Sequence, residues 1–267
     1  MFIKKLSLSD RYEKLKNPSL PKVKTGFELF DNFTGGIGGY ESYVINGENI
    51  SDNIKFMMSL LISMAENNPN KKFLYIGNKI SPEILMNAYL AHQNNIPDYK
   101  FFMDRSIEKD LLFKSMDVRN ICGDIQNIWY IHSSSLNSEY VSTMVETIEC
   151  ENINYVFIED GSNINFKNEE DPIYELLASV IYHKPVSFII SNLDLSLSKY
   201  KNYDGIFELI QSDFVIDDYL LKVKMLNNIY EPLQGLCFNT YNGWFKFDRS
   251  TYTLFKKGEN KNEWKWN

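Results

Sequence analysis

Gly47-Glu48-Asn49-Ile50-Ser51-Asp52-Asn53-Ile54 lies between the apolar run Tyr43-Val44-Ile45 and the helical pattern Lys55-Phe56-Met57-Met58-Ser59-Leu60-Leu61. A strand, a loop and a helix in that order frame the G-x-x-x-x-G-K-[ST] phosphate loop. There, backbone N–H groups cradle phosphate, a lysine neutralises it and a hydroxyl binds magnesium. Only Gly47 fits the pattern. Asp52 replaces the second glycine, Asn53 the lysine and Ile54 the hydroxyl residue.

Ser51 and Asp52 suit the first turn of a helix, so their side chains are expected to satisfy the free amides and the positive end of the helix dipole. The anion site would then be filled from within. A phosphate about 4 Å from Asp52 would also meet repulsion of roughly 1 kcal/mol in water and roughly 4 kcal/mol at the effective dielectric of a protein surface. Lys55 should point away from the loop if Asn53 faces it. Taken alone, the stretch also reads as an ordinary strand-to-helix turn.

The elements that must position these residues follow from pattern. Short apolar runs suited to a buried parallel sheet occur at 42–46, 72–76, 128–132, 155–159 and 186–191. Helical patterns fall between them at 52–66, 81–92, 104–119, 138–148 and 172–182, with Asn67-Asn68-Pro69-Asn70 as a breaker. Beyond Ser191 the texture changes, and 219–226, 235–240 and 244–247 read as successive β-strands. The fold expected is α/β, a mainly parallel sheet flanked by helices with antiparallel C-terminal additions. Residues 1–24 read as a polar, lysine-rich arm, 25–255 as the main domain and 256–267 as a polar tail.

Composition narrows the function classes. With 267 residues, 44% hydrophobic and 15% aromatic, the chain can bury a sizeable core. A net charge of −7 disfavours non-specific attraction to nucleic acid outside a local basic channel. Cys122, Cys150 and Cys237 form no pair or metal-ligand spacing, and His92, His132 and His183 are equally scattered, so no disulfide framework or metal centre is suggested. No apolar stretch approaches the ~20 residues that span a bilayer, and no secretion signal is evident, so a cytoplasmic protein is expected.

Several segments in order resemble the RecA-like motor domain of DnaB-type replicative helicases. Lys24-Thr25-Gly26-Phe27-Glu28-Leu29-Phe30-Asp31 with Gly35-Gly36 looks like that family's lead-in, and Tyr43 to Ile54 falls on its phosphate loop. Leu74 to Ser81 is similar to its second strand, Ile128 to His132 to the next, Tyr155 to Asp160 to the Walker B strand, and Ile189 to Leu193 to the sensor strand. The resemblance covers roughly residues 22 to 248 and implies a P-loop NTPase fold of the RecA type.

The positions that carry chemistry in that family are altered here. The catalytic glutamate falls on Lys79 and the sensor glutamine on Asn192. The basic finger falls near Met225-Leu226-Asn227-Asn228, which offers no arginine; the Walker B acid is Glu159 or Asp160, depending on register. DNA-contacting loops would be 161–171, which is acidic, and 196–203, where Lys199, Tyr200, Lys201 and Tyr203 combine positive charge with stacking surface.

The resemblance thus implies a pseudo-ATPase without a cofactor, encoded by a phage or plasmid. It would act in DNA replication with partners such as an active helicase, its loader or a second copy of itself. Two alternatives carry different chemistry: an active helicase using ATP and magnesium through a rearranged loop, and a recombination mediator that binds single-stranded DNA.

Overall fold

A computed structural model describes residues 22–27, 31, 35–39, 41–77, 79–95, 97–98, 127–133, 138–161, 186–192, 203–211, 220–227, 244–249 and 251–255. The readings at 104–119, 172–182 and 235–240, and those on Lys199, Tyr200 and Lys201, fall outside these residues, as do most of the arm and the whole tail.

The described strands are β1 (Ser42–Gly47), β2 (Phe73–Gly77), β3 (Ile128–His132), β4 (Tyr155–Ile158), β5 (Ser187–Asn192), β6 (Gly205–Gln211), β7 (Leu220–Asn227), β8 (Trp244–Asp248) and β9 (Thr253–Phe255). They form one sheet in the order β3-β2-β4-β5-β1-β6-β7-β8-β9. The first six positions are mutually parallel; β7, β8 and β9 are antiparallel additions. This is the architecture expected from pattern. Strand β6, beside β1, and the short β9 were not assigned as strands from sequence.

Alternation along each strand divides the core into two. Tyr43, Ile45, Phe73, Tyr75, Tyr155, Phe157, Ile189 and Phe207 face one layer, together with helices α1 (Ile50–Asn67) and α2 (Pro82–Asn94). Val44, Leu74, Ile76, Val156, Ile158, Phe188, Ile190 and Ile206 face the other, with Val141, Met144 and Ile148 of helix α3 (Ser138–Glu151). Both faces of the inner parallel strands are therefore apolar and covered, while the edge strand β3 is half-buried, which explains why the inner strands read as continuous apolar runs.

Helix α1 is buried continuously from Phe56 to Ala65, as a helix enclosed on nearly every side must be. Phe56 is its aromatic anchor, with ring centroids 5.6 Å from Phe27 and 5.5 Å from both Phe207 and Phe247. Helix α2 begins at Ser81, whose hydroxyl accepts from Ile84 N–H, with Pro82 at its first position. It ends at Asn95, a left-handed residue whose N–H bonds back to Ala91 and His92.

The lead-in segment belongs to the core. Asp31 Oδ1 accepts from the N–H and hydroxyl of Thr25, each at 2.9 Å, while Oδ2 accepts from Gly26 N–H at 3.0 Å. Val23 is buried and bridges Ile37 in antiparallel fashion. Its carbonyl approaches Gly36 so closely that a side chain there would collide, and Gly36 has φ +107°. The arm expected to run through residue 24 is thus already anchored at Val23 by backbone pairing and burial.

Truncating Phe56 to alanine removes the ring shared by these three aromatic partners. We expect Phe56→Ala to cost about 3–5 kcal/mol in denaturant unfolding. A loss below about 1 kcal/mol would contradict this packing.

Candidate functional site

In an open parallel sheet, ligands bind beyond the carboxyl ends of the strands. Here those ends present the loop after β1, the Lys79 segment after β2, Glu159 and Asp160 after β4, and Asn192 at the end of β5. The backbones of Asn46 and Asn192 are in direct register, so the strands that lead into the loop after β1 and into Asn192 lie side by side.

The loop itself is closed by the helix. Helix α1 begins at Ile50, ahead of the expected start at Asp52, because Asn49 is its N-cap and its side chain accepts from Ser51 N–H at 2.9 Å. The N–H groups of Asp52 and Asn53 both reach Asn49 O at 3.1 Å. Three amides that a phosphate loop would offer to an anion are therefore engaged by one residue. Capping by Ser51 and Asp52 side chains was the expectation; Asn49 performs it instead. Asn is as good an N-cap as Asp or Ser, which is the sequence signal that would have found it.

Asp52 has a different partner. Its carboxylate receives Nη1 of Arg249, from the β8–β9 turn, at 2.8 Å, and both side chains are largely buried. The repulsion expected from a lone Asp52 is thus offset by an arginine 197 positions away, a pairing no local pattern could reveal. Asn53 is fully buried, with its side chain against the position a Gly47 Cβ would occupy, and Ile54 is buried in the core. Lys55 points away from the loop, as expected. It reaches Asp98 at 3.0 Å and donates to Arg249 O at 3.1 Å.

After β4, the two acids divide their roles. Glu159 has 0% exposure, and its carboxylate accepts from Lys79 N–H at 2.7 Å, Ile80 N–H at 3.0 Å and the Tyr75 hydroxyl at 3.1 Å. It clamps the turn after β2, and Gly77 must lack a side chain because any Cβ would strike that carboxylate. Burial first, then the Glu159 charge and hydrogen bond, hold the Tyr75 phenol well above its usual pKa, so Tyr75 stays a neutral donor. Asp160, 9% exposed, pairs with Lys79 Nζ at 2.7 Å. Lys79 thus neutralises the neighbouring acid.

Other sequence-derived positions fare differently. Tyr203, expected to stack on DNA, is buried in the α3-side core, because at the approach to β6 its ring is directed into the protein. Met225, Leu226 and Asn227 lie on strand β7, in register with Phe207, Ile206 and Gly205. Among the described residues, no group of three or more His, Cys, Asp or Glu is arranged to hold a metal, and no helix is long and apolar enough to cross a membrane.

The clamp makes a quantitative demand on Glu159. An amide in its place presents one acceptor oxygen and turns an NH2 toward donors, so we expect Glu159→Gln to destabilise the fold by about 1–3 kcal/mol in urea unfolding. An unchanged midpoint would show that the carboxylate does not hold the β2 turn.

No protein-family model matches the chain, and no curated protein matches it in sequence. Solved structures do. A DnaB-like replicative helicase, studied with its interactions with primase, superposes with a TM-score of 0.68 at 13% identity, covering 95% of this chain and 67% of that one. A second solved structure, that of an ATPase domain, gives a TM-score of 0.67 at 13% identity, covering 94% of this chain and 99% of that one. At such identity the likeness is one of architecture: the chain has the RecA-like fold of DnaB-like replicative helicase ATPase domains.

Proposed function

We propose that this chain is a non-catalytic DnaB-like helicase homologue, encoded by a phage or plasmid, that acts in DNA replication as an interaction or regulatory protein and uses no nucleotide. The observation that carries this reading is the capture of the Ser51, Asp52 and Asn53 amides by Asn49. A triphosphate needs oriented N–H donors and a cation in place before it arrives. Here the donors serve the helix, while Arg249, Lys55 and Lys79 are each paired with a carboxylate.

The Walker B region supports the same conclusion. Three donors already converge on the Glu159 carboxylate, and moving it toward a magnesium ion would strip the β2 turn of its bonds. A fold kept without its chemistry retains its surfaces, and replication proteins such as an active helicase or its loader are the partners this reading assigns. The similar DnaB-like replicative helicase was itself studied for its interactions with primase. Self-association into an oligomer fits the same role.

Thermal unfolding separates the readings. A ligand at 100 times its Kd adds about 2.7 kcal/mol to stability, which a shift in Tm would report. We expect magnesium-ATP at millimolar concentration to leave Tm unchanged and no phosphate to be released. A concentration-dependent rise in Tm with turnover would establish the active helicase instead. Salt-sensitive binding of single-stranded DNA without any ATP response would establish the recombination mediator.

A further inference from the structure

Strand β3 ends the sheet on one side and, among the described residues, pairs with β2 alone. Phe73 N–H reaches Asn127 O at 2.9 Å and Ser133 N–H reaches Gly77 O at 3.0 Å, so residues 127, 129, 131 and 133 turn their backbone groups toward β2. The N–H and C=O of Ile128 and Tyr130 therefore point away from the sheet. An edge of this kind is a template for a further strand, and natural sheets blunt it with charged side chains, proline or a bulge. Ile128-Trp129-Tyr130-Ile131 has neither charge nor proline, and its register with β2 is unbroken.

Its side chains are apolar on both faces. Ile128 and Tyr130 pack against the α1 and α2 layer, Trp129 and Ile131 against the α3 layer, and all four remain half-buried. The two rings are already fixed. Tyr130 stacks on Tyr75 with centroids 5.8 Å apart, and its hydroxyl donates to Ile80 O at 2.6 Å. Lys72 Nζ lies 4.7 Å from the centroid of the Trp129 ring. Little ordering is left to be done when a partner arrives.

A strand added here must be uncharged and apolar on both faces, because the edge is. Strand β3 itself meets that requirement, and an isologous contact needs only a patch complementary to itself. We propose that β3 joins two copies of this chain, pairing antiparallel about a two-fold axis to make one continuous sheet. With Trp129 on the axis, Ile128 of each copy lies opposite Tyr130 of the other, so their outward N–H and C=O groups bond reciprocally and aromatic or β-branched side chains stand opposite one another.

Charge selects the same arrangement. At a net charge of −7 two copies repel over most of their surfaces, and the β3 edge offers no charge to oppose. The amino end of β2 carries Lys71 and Lys72, with Glu151 3.9 Å from the latter. Its carboxyl end leads, past the paired Lys79 and Asp160, to the exposed Glu83. Antiparallel pairing sets these opposite ends side by side; parallel pairing would set like beside like.

The inference deepens the self-association in the proposed function and rests on that reading only for the role a dimer serves. Its test contains no nucleotide, DNA or replication protein, so a failed dimer and a failed pseudo-ATPase reading are told apart. Sedimentation velocity of the full-length chain should show a monomer–dimer equilibrium. Trp129→Glu places like charges together on the axis while Lys72 accommodates the carboxylate within one copy, and it should raise the dimer Kd about tenfold or more. In the wild type, hydrogen exchange at the Ile128 and Tyr130 amides should slow as protein concentration rises. A monomer at every concentration would overturn the proposal, as would a dimer that Trp129→Glu leaves intact. Exchange at these two amides that is independent of concentration would show an edge either bare or covered within one chain, and it decides the matter even if the variant is unstable.

Discussion

Where helix α1 begins governs everything at the carboxyl ends of the strands. The helix is enclosed by the sheet, helix α2 and the C-terminal turn, so its axis cannot shift to admit a ligand without emptying a close-packed layer. Asn49 starts it at Ile50 and gives the following amides an intramolecular acceptor. The loop is short because the helix is long. The identity of residue 53 is secondary to that constraint, since a cation placed there would have few N–H groups to act with.

A similar economy runs through the rest of the site. Glu159 sits where a nucleotide-binding fold keeps an acid, yet its oxygens organise the turn that carries Lys79, and Lys79 in turn neutralises Asp160. Asp52, Lys55, Lys79, Glu159 and Asp160 each meet another side chain or a backbone N–H. Such internally closed networks specify one arrangement strongly, because removing any member leaves a buried group without its partner.

Much of this architecture was legible in the sequence because parallel strands buried on both faces produce unmistakable apolar runs. Ile128–His132 was bounded as the structure has it, and 42–46, 155–159 and 186–191 were off by one residue at one or both ends. What escaped was either a local competition or a distant encounter. Asn49 and Ser51 are both good caps, and only the folded chain decides between them. Arg249, Asp98 and Tyr252 reach their partners across 43 to 197 positions of sequence, which no spacing rule registers. Tyr203 misled because an aromatic residue among lysines reads as a nucleic-acid surface, while the strand that follows turns its ring into the core.

The wiring of the β8–β9 turn has a temporal consequence. Ribosomal synthesis delivers helix α1 and its loop first, and the arginine that pairs with Asp52 emerges 197 positions later. Contacts this distant in sequence form only after the intervening chain has been organised. The nascent sheet therefore passes through a stage in which Asp52 lacks its arginine, whereas the Asn49 cap that closes the loop needs no distant partner.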